Sequence, residues 1–284
     1  MTPYLFLLPA LILLTISAFY PLLAAIGLSF TSYDFVGAIE FVGDRNYRAI
    51  WSDRLFWQVL GNSLSYLVLV VPALVTLPLG LAILVNHKLR GMALFRSIYY
   101  LPVLVSVVIA AIAWQWIYSE TGLLNYVLTS WFGGLVGSSV QIPWLSNPDT
   151  AIFAIALVII WRGLGYYMAI YLAGLQAIPP ELYEAAAIDG SDGWRKHWDI
   201  TLPLMRPYIF LVAIVSTING LKIFEEVYIM TKGGPANSSK TIIYYLYDQG
   251  FTNLELGYAC AIAVVLFSLV ALLSLGVAGR TKVG

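Results

Sequence analysis

Residues 184–190 have the sequence Glu-Ala-Ala-Ala-Ile-Asp-Gly, and after nine intervening residues the chain continues with Ile-Thr-Leu-Pro at 200–203. A Pro-Pro pair at 179–180 precedes the first stretch, and proline is favoured in the first turn of a helix. The glycine at the end of the first stretch interrupts the helical pattern. The segment therefore predicts two short helices joined by a tight turn, the second running from 194 to 200 and ended by the proline of the second stretch.

The surface of this predicted elbow suits close docking of a partner. Ala185 and Ala186 allow close approach, Glu184 and Asp189 supply charged acceptors, and Gly190 makes the turn. The alternative is a plain connector on the membrane surface, because alanine-rich turns are common. The glycine and the Ile-x-Leu-Pro sequence follow the alanines at a fixed spacing, which a simple connector does not require. This spacing favours the interpretation as a docking surface for a partner.

Composition independently indicates an integral membrane protein. The chain has 284 residues, of which 60% are hydrophobic and 11% charged, and its mean hydropathy is +0.83, outside the range of soluble domains. The formal net charge is zero, so we expect no nucleic-acid partner. The single cysteine, Cys260, lies in an apolar segment and excludes a disulfide framework.

Six apolar stretches are long enough for a spanning helix, which needs about 20 residues. They cover approximately residues 3–29, 65–85, 98–118, 151–175, 208–230 and 257–279. The first stretch lacks a basic flank and is too long for the apolar core of a signal peptide. We therefore expect a retained membrane anchor and a single six-span domain over residues 1–284.

Basic residues favour a cytoplasmic N-terminus, since cytoplasmic loops are enriched in lysine and arginine. In that orientation eight basic residues lie inside and five outside. The inner ones are Lys88, Arg90, Arg96, Arg195, Lys196, Arg206, Arg280 and Lys282, and the outer ones are Arg45, Arg48, Arg54, Lys232 and Lys240. Both termini and the elbow, within residues 177–206, are then cytoplasmic.

Two basic residues, Arg162 and Lys222, fall inside predicted spans. A charge at the middle of a membrane costs about 2.5–3.5 kcal/mol on insertion scales, so each side chain should face a water-filled cavity, a counter-charge or the headgroups. The spacing of Lys222 from Glu225 and Glu226 permits local pairing on a helix. For both residues an ion pair and a position lining a cavity remain open, with the cavity favoured for Arg162.

Polar residues on the fifth span recur on one helical face: Ser216, Asn219, Ile223 and Glu226 follow at steps of three, four and three. Ser216 and Asn219 offer the neutral donors and acceptors that sugar hydroxyls need, and Tyr166 on the fourth span offers a stacking ring. The alternative for the small polar residues is packing between helices. Periodicity alone does not separate the two interpretations.

The chain carries no sequence signature of catalysis. It has no Gly-x-x-x-x-Gly-Lys-Ser/Thr phosphate-binding loop, no Gly-x-Ser-x-Gly nucleophile motif and no zinc-ligand spacing, and His87 and His197 are far apart. We therefore expect neither an enzyme nor a chain with its own metal or cofactor.

Several stretches together resemble the maltose-type, carbohydrate-uptake branch of ABC importer permeases, in particular the first of the two permeases. The elbow resembles the EAA loop of that family, and the last stretch below is the most discriminating for the sugar branch. Besides the elbow, the stretches are 4–10 (YLFLLPA), 41–43 (FVG), 46–47 (NY), 89–91 (LRG), 171–175 (YLAGL), 178–179 (IP) and 227–235 (VYIMTKGGP). Glu225-Glu226, where relatives often have one aspartate, and Arg162 depart from the pattern and leave the solute open.

The resemblance implies an all-α fold of the type I ABC importer permease class, with six spans and cytoplasmic EAA coupling helices. It assigns ATPase coupling to five elbow residues, Glu184, Ala185, Ala186, Asp189 and Gly190. It also assigns the substrate pathway to Gly163, Tyr166, Ser216, Asn219, Gly220 and Ile223, to which the argument from charge adds Arg162.

The implied function is half of a translocation pathway for a di- or oligosaccharide, or a glycosylated polyol, across the bacterial inner membrane. The implied partners are a dissimilar second permease, two ATP-binding subunits that hold ATP and Mg²⁺, an extracytoplasmic solute-binding protein and the lipid bilayer. A glycerol-3-phosphate permease is the alternative, since Arg162 suits a phosphate. An ion-coupled secondary transporter would show inverted repeats, and a membrane enzyme would show catalytic residues; neither feature is found in the sequence.

Overall fold

The structure, a computed structural model, describes residues 2–86, 91–136 and 141–279. Four of the basic residues counted for topology, Lys88, Arg90, Arg280 and Lys282, and the first two residues of the 89–91 stretch lie outside the described residues. The chain divides into two compact units, residues 1–58 with 242–284, and residues 59–241. The prediction of one permease domain over residues 1–284 stays a prediction.

The first unit combines the N-terminal span with the C-terminal helix. Its elements are α1 Thr2–Leu14, a π-helical segment Thr15–Phe19, α2 Tyr20–Leu28, strands β1 Thr31–Ser32 and β2 Glu40–Phe41, and α3 Arg45–Ser52. After the second unit it continues with α12 Ile242–Tyr247, a π-helical segment Asp248–Thr252 and α13 Leu256–Gly279. The strands pair antiparallel, Thr31 opposite Phe41.

One carboxylate links three segments of the first unit. Asp53 accepts hydrogen bonds from the hydroxyls of Tyr245 and Tyr258, the latter at 2.8 Å, and from the amide of Leu55 at 2.8 Å. Burial opposes ionisation of Asp53, but these hydrogen bonds outweigh it, and the pKa of Asp53 lies below its usual value. The ionised carboxylate therefore holds residues 53–55 to α12 and α13.

Among its described residues, the second unit contains most of a long helix, α4, and seven further helices. The elements are α4 Arg54–Val85, which begins in the first unit, α5 Met92–Leu104, α6 Val107–Ile117, α7 Leu123–Val136, α8 Pro148–Gln176, α9 Pro180–Ile188, a π-helical segment His197–Thr201, α10 Leu202–Leu221 and α11 Glu225–Met230. The Asn147 side chain caps α8 by accepting the amide of Asp149 at 2.9 Å.

Four helical stretches among the described residues are long and apolar enough to cross a membrane: Phe6–Leu28, Arg54–Val85, Pro148–Gln176 and His197–Leu221. A fifth span results if the bent pair α5–α6 is counted as one. The last predicted span coincides with α13, of which Leu256–Leu272 is a shorter apolar helix. The count of six stays a prediction.

The third predicted span, residues 98–118, is not one straight helix. α5 and α6 meet at 97°, because Val105 and Ser106 adopt extended backbone angles between them. Pro102, three residues before the bend, lacks the amide that would continue the hydrogen-bond ladder. The surrounding sequence is apolar throughout, so the pattern predicted no break there.

The fifth predicted span, residues 208–230, is wrong at both ends. Its helix begins earlier, at the π-helical segment His197–Thr201, and ends at Leu221. The Lys222 amide bonds back to the Asn219 carbonyl at 3.0 Å, and the Ile223 carbonyl accepts the hydroxyl of Thr241 at 2.7 Å. These two hydrogen bonds replace those that a continuous helix would make. The helix can therefore end before α11 begins.

The second elbow helix does not end at Pro203, contrary to the sequence prediction. The helical backbone passes from Arg195 through the π-helical segment into α10, where Pro203 lies in the first turn. A proline there lacks only an amide that the start of an α-helix leaves unbonded. The change from π to α hydrogen bonding therefore accommodates it.

A close backbone approach in the second unit joins α8 to α5. A Cβ atom at Gly165 would lie 2.3 Å from the carbonyl oxygen of Tyr99 and 2.7 Å from the Cα of Tyr100. Both are backbone atoms, which cannot rotate away. Only glycine permits this contact between the two helices.

We predict that Gly165→Ala separates α5 from α8 and destabilises the protein by about 1–3 kcal/mol, the usual range for overpacking. Thermal unfolding of the purified protein measures the loss. Gly61→Ala is the matched control, since a Cβ at Gly61 meets nothing within 4 Å. Equal unfolding midpoints for Gly165→Ala and Gly61→Ala would contradict the close contact.

Candidate translocation cavity and coupling elbow

A cavity of about 570 Å³ lies within the second unit, where α8, the end of α10 and α11 meet α4 and α5. All seven residues predicted for the substrate pathway line it: Arg162, Gly163, Tyr166, Ser216, Asn219, Gly220 and Ile223. The structure therefore brings the predicted residues together, and their role in binding solute stays a prediction.

The seven residues contribute unequally to the cavity surface. Tyr166 is 43% exposed, whereas Ser216 is 1% and Ile223 5% exposed. Asn219 is exposed and donates to the hydroxyl of Tyr167 at 3.3 Å, while Ser216 donates to the carbonyl of Ala213 within its own helix at 3.2 Å. A bound solute would thus meet the tyrosine ring and the asparagine amide before Ser216.

Two of the seven are glycines that also permit helix packing. A Cβ at Gly163 would lie 2.7 Å from Leu74, and one at Gly220 would lie 2.8 Å from Leu67. Both leucines are on α4. These glycines therefore allow α8 and α10 to approach α4, whether or not a solute contacts them.

The charge of Arg162 is compensated inside the cavity wall. Arg162 lies at the midpoint of α8, and its Nη1 donates to Oε1 of Glu226 at 2.9 Å. The exposed fractions of the two side chains are 22% and 11%. The two alternatives from the sequence therefore both hold for Arg162, which lines the cavity and forms an ion pair.

Lys222 does not pair locally with the following glutamates. Because α10 ends before it, Lys222, Glu225 and Glu226 do not share one helix, and the predicted single polar face stops at Asn219. Within the part of the chain that the structure describes, Lys222 has no ion pair. Lys222 and Glu225 are both exposed and line the cavity.

Nine lining residues were absent from the predicted pathway. They are Val70, Leu74, Val103, Ile159, Tyr167, Lys222, Phe224, Glu225 and Glu226. The three charged ones had a signal, a charge within an apolar stretch, which left pairing with the glutamates and lining of a cavity both open for Lys222. The apolar ones had none, because a valine that lines a cavity and one that faces lipid look the same in a sequence.

The first elbow helix, α9, ends in a Schellman motif. Gly190 has φ +81°, a left-handed conformation that favours glycine. The amide of Ser191 donates to the carbonyl of Ala186 at 2.8 Å, and that of Gly190 donates to Ala187 at 3.2 Å. The predicted turn is confirmed, as is the start of α9 at Pro180.

Of the five predicted coupling residues, four are on the surface. Glu184, Ala185, Asp189 and Gly190 are exposed, and Ala186 is buried against the chain itself. The ATPase-coupling role of all five stays a prediction.

The sequence interpretation missed three large apolar side chains on the same elbow. Ile188 is 88%, Trp194 75% and Trp198 70% exposed. A signal existed, since two tryptophans lie in a segment predicted to be outside the bilayer. Exposed apolar side chains in such a group are typical of an interaction site.

Side-chain hydrogen bonds fasten α9 to the π-helical segment. Thr201, which is 1% exposed, bonds through its hydroxyl to the Tyr183 hydroxyl and to Nδ1 of His197, both at 3.1 Å. The Ser191 hydroxyl donates to Asp199 at 2.6 Å. The elbow is therefore joined at both its turn and its base to the helix that leads to the cavity.

A second polar cavity, of about 490 Å³, lies in the first unit around Asp53. Many of its polar groups bond one another: Asn46 donates to the carbonyls of Ser29 and Thr31, and Gln249 donates to Tyr245. In the described ranges, no group of three histidine, cysteine or acidic residues is arranged to hold a metal ion.

Several helices long and apolar enough to cross a membrane indicate a multi-pass membrane protein, and the second unit holds a cavity lined with charged residues. The chain belongs to the family described as binding-protein-dependent transport system inner membrane component, whose model matches residues 54–281. The predicted membership of the ABC importer permeases is thereby confirmed. This family is a transport component and not a catalytic one.

Similar proteins cover nearly the whole chain. The lactose transport system permease protein LacF of Rhizobium radiobacter is 37% identical over 95% of this chain and 91% of the relative. The arabinooligosaccharides transport system permease protein AraP of Bacillus subtilis is 36% identical over 99% and 89%. A solved bacterial ABC transporter that imports the acidic polysaccharide alginate has the same fold, with a TM-score of 0.85 at 24% identity over 99% of this chain and 95% of that one.

We predict that Glu226→Ala destabilises the protein by about 3–5 kcal/mol, because it leaves the Arg162 guanidinium buried without its counter-charge. Glu225→Ala, which removes an exposed neighbouring carboxylate, should cost much less. The double variant Arg162→Met/Glu226→Leu should recover most of the loss. Thermal unfolding of the purified protein gives all three values, and additive losses in the double variant would exclude an energetic coupling of the pair.

Proposed function

We propose that this chain forms half of the translocation pathway of a binding-protein-dependent ABC importer for a neutral carbohydrate, a di- or oligosaccharide or a glycosylated polyol. The observation that carries the proposal is the cavity of about 570 Å³, which combines an exposed tyrosine ring, an exposed asparagine amide and a charge-compensated arginine. Sugar recognition uses stacking on aromatic rings and hydrogen bonds to hydroxyl groups. The lactose and arabinooligosaccharide relatives support the same class of solute.

At Arg162, the residue on which it was based, the phosphorylated-solute alternative is less well supported. It required Arg162 as a free cation in the cavity, and Glu226 neutralises that cation at 2.9 Å. A phosphate at Arg162 would have to compete with a carboxylate that is already bound and buried. A neutral solute needs only hydrogen bonds and leaves the ion pair in place.

The elbow would couple transport to ATP hydrolysis by two partner subunits, which bind ATP and Mg²⁺ themselves. The helix His197–Leu221 runs without interruption from the base of the elbow to the cavity. Thr201 and Ser216 are fifteen residues apart on it, about 22 Å at 1.5 Å per residue. Movement of the docked elbow would thus be transmitted to the cavity through one helix. The cavity would then open alternately to the two sides of the membrane.

The complete importer would include a dissimilar second permease, which supplies the other half of the pathway, and an external solute-binding protein. A solved alginate transporter is in complex with a pentasaccharide-bound periplasmic protein, and that neighbour supports a binding-protein partner. In the bacterial inner membrane both termini of this chain would be cytoplasmic. The elbow would then lie on the side of the membrane where ATP is available.

We predict that Tyr166→Ala and Asn219→Ala each lower carbohydrate uptake several-fold. A stacked ring contributes about 0.5–1.5 kcal/mol and one neutral hydrogen bond about the same, and each 1.4 kcal/mol is tenfold in affinity. The measurement is uptake at limiting solute, normalised to assembled complex. Tyr126→Ala, at a 70% exposed tyrosine of α7 away from the cavity, is the matched control and should keep normal uptake. Unchanged normalised uptake in both cavity variants would refute the proposed pathway.

For the elbow we predict that Glu184→Lys and Gly190→Pro abolish uptake although the chain still inserts in the membrane. Lysine reverses a charge on the docking surface, and proline cannot adopt the positive φ of Gly190. Glu120→Lys makes the same reversal at an exposed glutamate outside the elbow and should retain uptake. Uptake is compared with the amount of ATPase subunit that copurifies; normal uptake in Gly190→Pro would contradict the coupling role.

A further inference from the structure

A small cavity of about 170 Å³ lies next to the elbow, and the proposed function does not use it. Five polar residues from three places in the chain line it: Asn86, Tyr183, Lys196, His197 and Thr201. Two aliphatic residues, from α4 and α8, complete the wall. The cavity therefore lies where the elbow meets the ends of two long helices.

The lining of this cavity offers hydrogen-bond donors and a positive charge. None of the described residues that line it is acidic. Lysine carries three donors and no acceptor, and the asparagine amide carries two donors. When Tyr183 and His197 both donate to the Thr201 hydroxyl, its own proton remains available to a ligand.

The lysine stands out from the neighbouring basic residue. Arg195 is exposed and is paired with Asp199 at 3.3 Å. Lys196 is half-buried, yet among the residues described its ammonium has no ion-pair or hydrogen-bond partner. A partly buried cation without a counter-charge is unfavourable, and an anion in the adjoining cavity would compensate it.

We propose that this cavity binds a phosphate group, held by the Lys196 ammonium together with the Asn86 amide and the Thr201 hydroxyl. The cavity volume equals that of several water molecules at about 30 Å³ each, which accommodates a tetrahedral anion of five heavy atoms. The phosphate belongs either to the headgroup of an anionic lipid or to a free phosphate ester. Its binding would fix the elbow against the ends of α4 and α8.

The first arm of the test uses the assembled importer, purified in detergent and titrated with inorganic phosphate at constant ionic strength. The readout is the temperature at which this chain leaves the soluble fraction. We expect a saturable rise whose half-saturating phosphate concentration is about tenfold higher in Lys196→Gln, the loss expected for one charged hydrogen bond. Lys196→Arg should restore it, and Arg206→Gln, which removes an exposed charge away from the cavity, should behave as the unmodified chain.

The second arm replaces detergent with nanodiscs of phosphatidylcholine alone or mixed with phosphatidylglycerol. A Lys196-dependent stabilisation by phosphatidylglycerol without added phosphate would identify the lipid headgroup as the source, and one in the first arm alone would identify a free phosphate. If Lys196→Gln responds as the unmodified chain does, the phosphate acts elsewhere, for example at the nucleotide sites of the partner subunits. That result, or no stabilisation in either arm, would overturn the proposal.

Discussion

The ion pair between Arg162 and Glu226 is the constraint on which the centre of the second unit depends. A guanidinium at the midpoint of an apolar helix costs several kcal/mol unless it is compensated, and the compensating carboxylate comes from α11. α11 lies after a break in the chain, and the break is stable because Thr241 bonds the Ile223 carbonyl that the helix leaves unpaired. In a membrane such a break is tolerated only where the backbone is buried in protein or faces a cavity. The ion pair therefore depends on the end of α10, which allows α11 to supply Glu226, and the end of α10 depends on the cavity beside it.

Glycines permit the rest of that arrangement. Gly165 allows α8 to meet the backbone of α5, and Gly163 and Gly220 allow α8 and α10 to approach leucines of α4. In a bilayer the hydrophobic effect does not draw helices together, because lipid chains are as apolar as leucine, so close packing has to supply the attraction. Gly163 and Gly220, which the sequence assigned to the substrate pathway, thus also allow the helices of the cavity wall to pack together.

The elbow and the cavity are joined by a single continuous helix, which gives the proposed coupling a physical route. Hydrogen bonds at Thr201 and Asp199 tie α9 to the first turn of that helix. The exposed Trp194 and Trp198 lie beside the charged residues that the sequence singled out. A docked partner would therefore contact apolar as well as charged side chains of the elbow. Its movement would move the helix His197–Leu221 together with the elbow.

The resemblance to the permease family and the charge argument together indicated seven of the residues that line the cavity. From the residues alone, the sequence determined the membrane class and the elbow turn. These depend on local composition and spacing: apolar length decides a span, a Pro-Pro pair starts α9, and Gly190 ends it by its positive φ. Tertiary structure alone decided the end of α10 at Leu221 and the partner of Arg162. The physical reason is distance along the chain. Arg162 and Glu226, like Ile223 and Thr241, meet only after folding, and a contact between distant residues leaves no periodic signal in the sequence around either one.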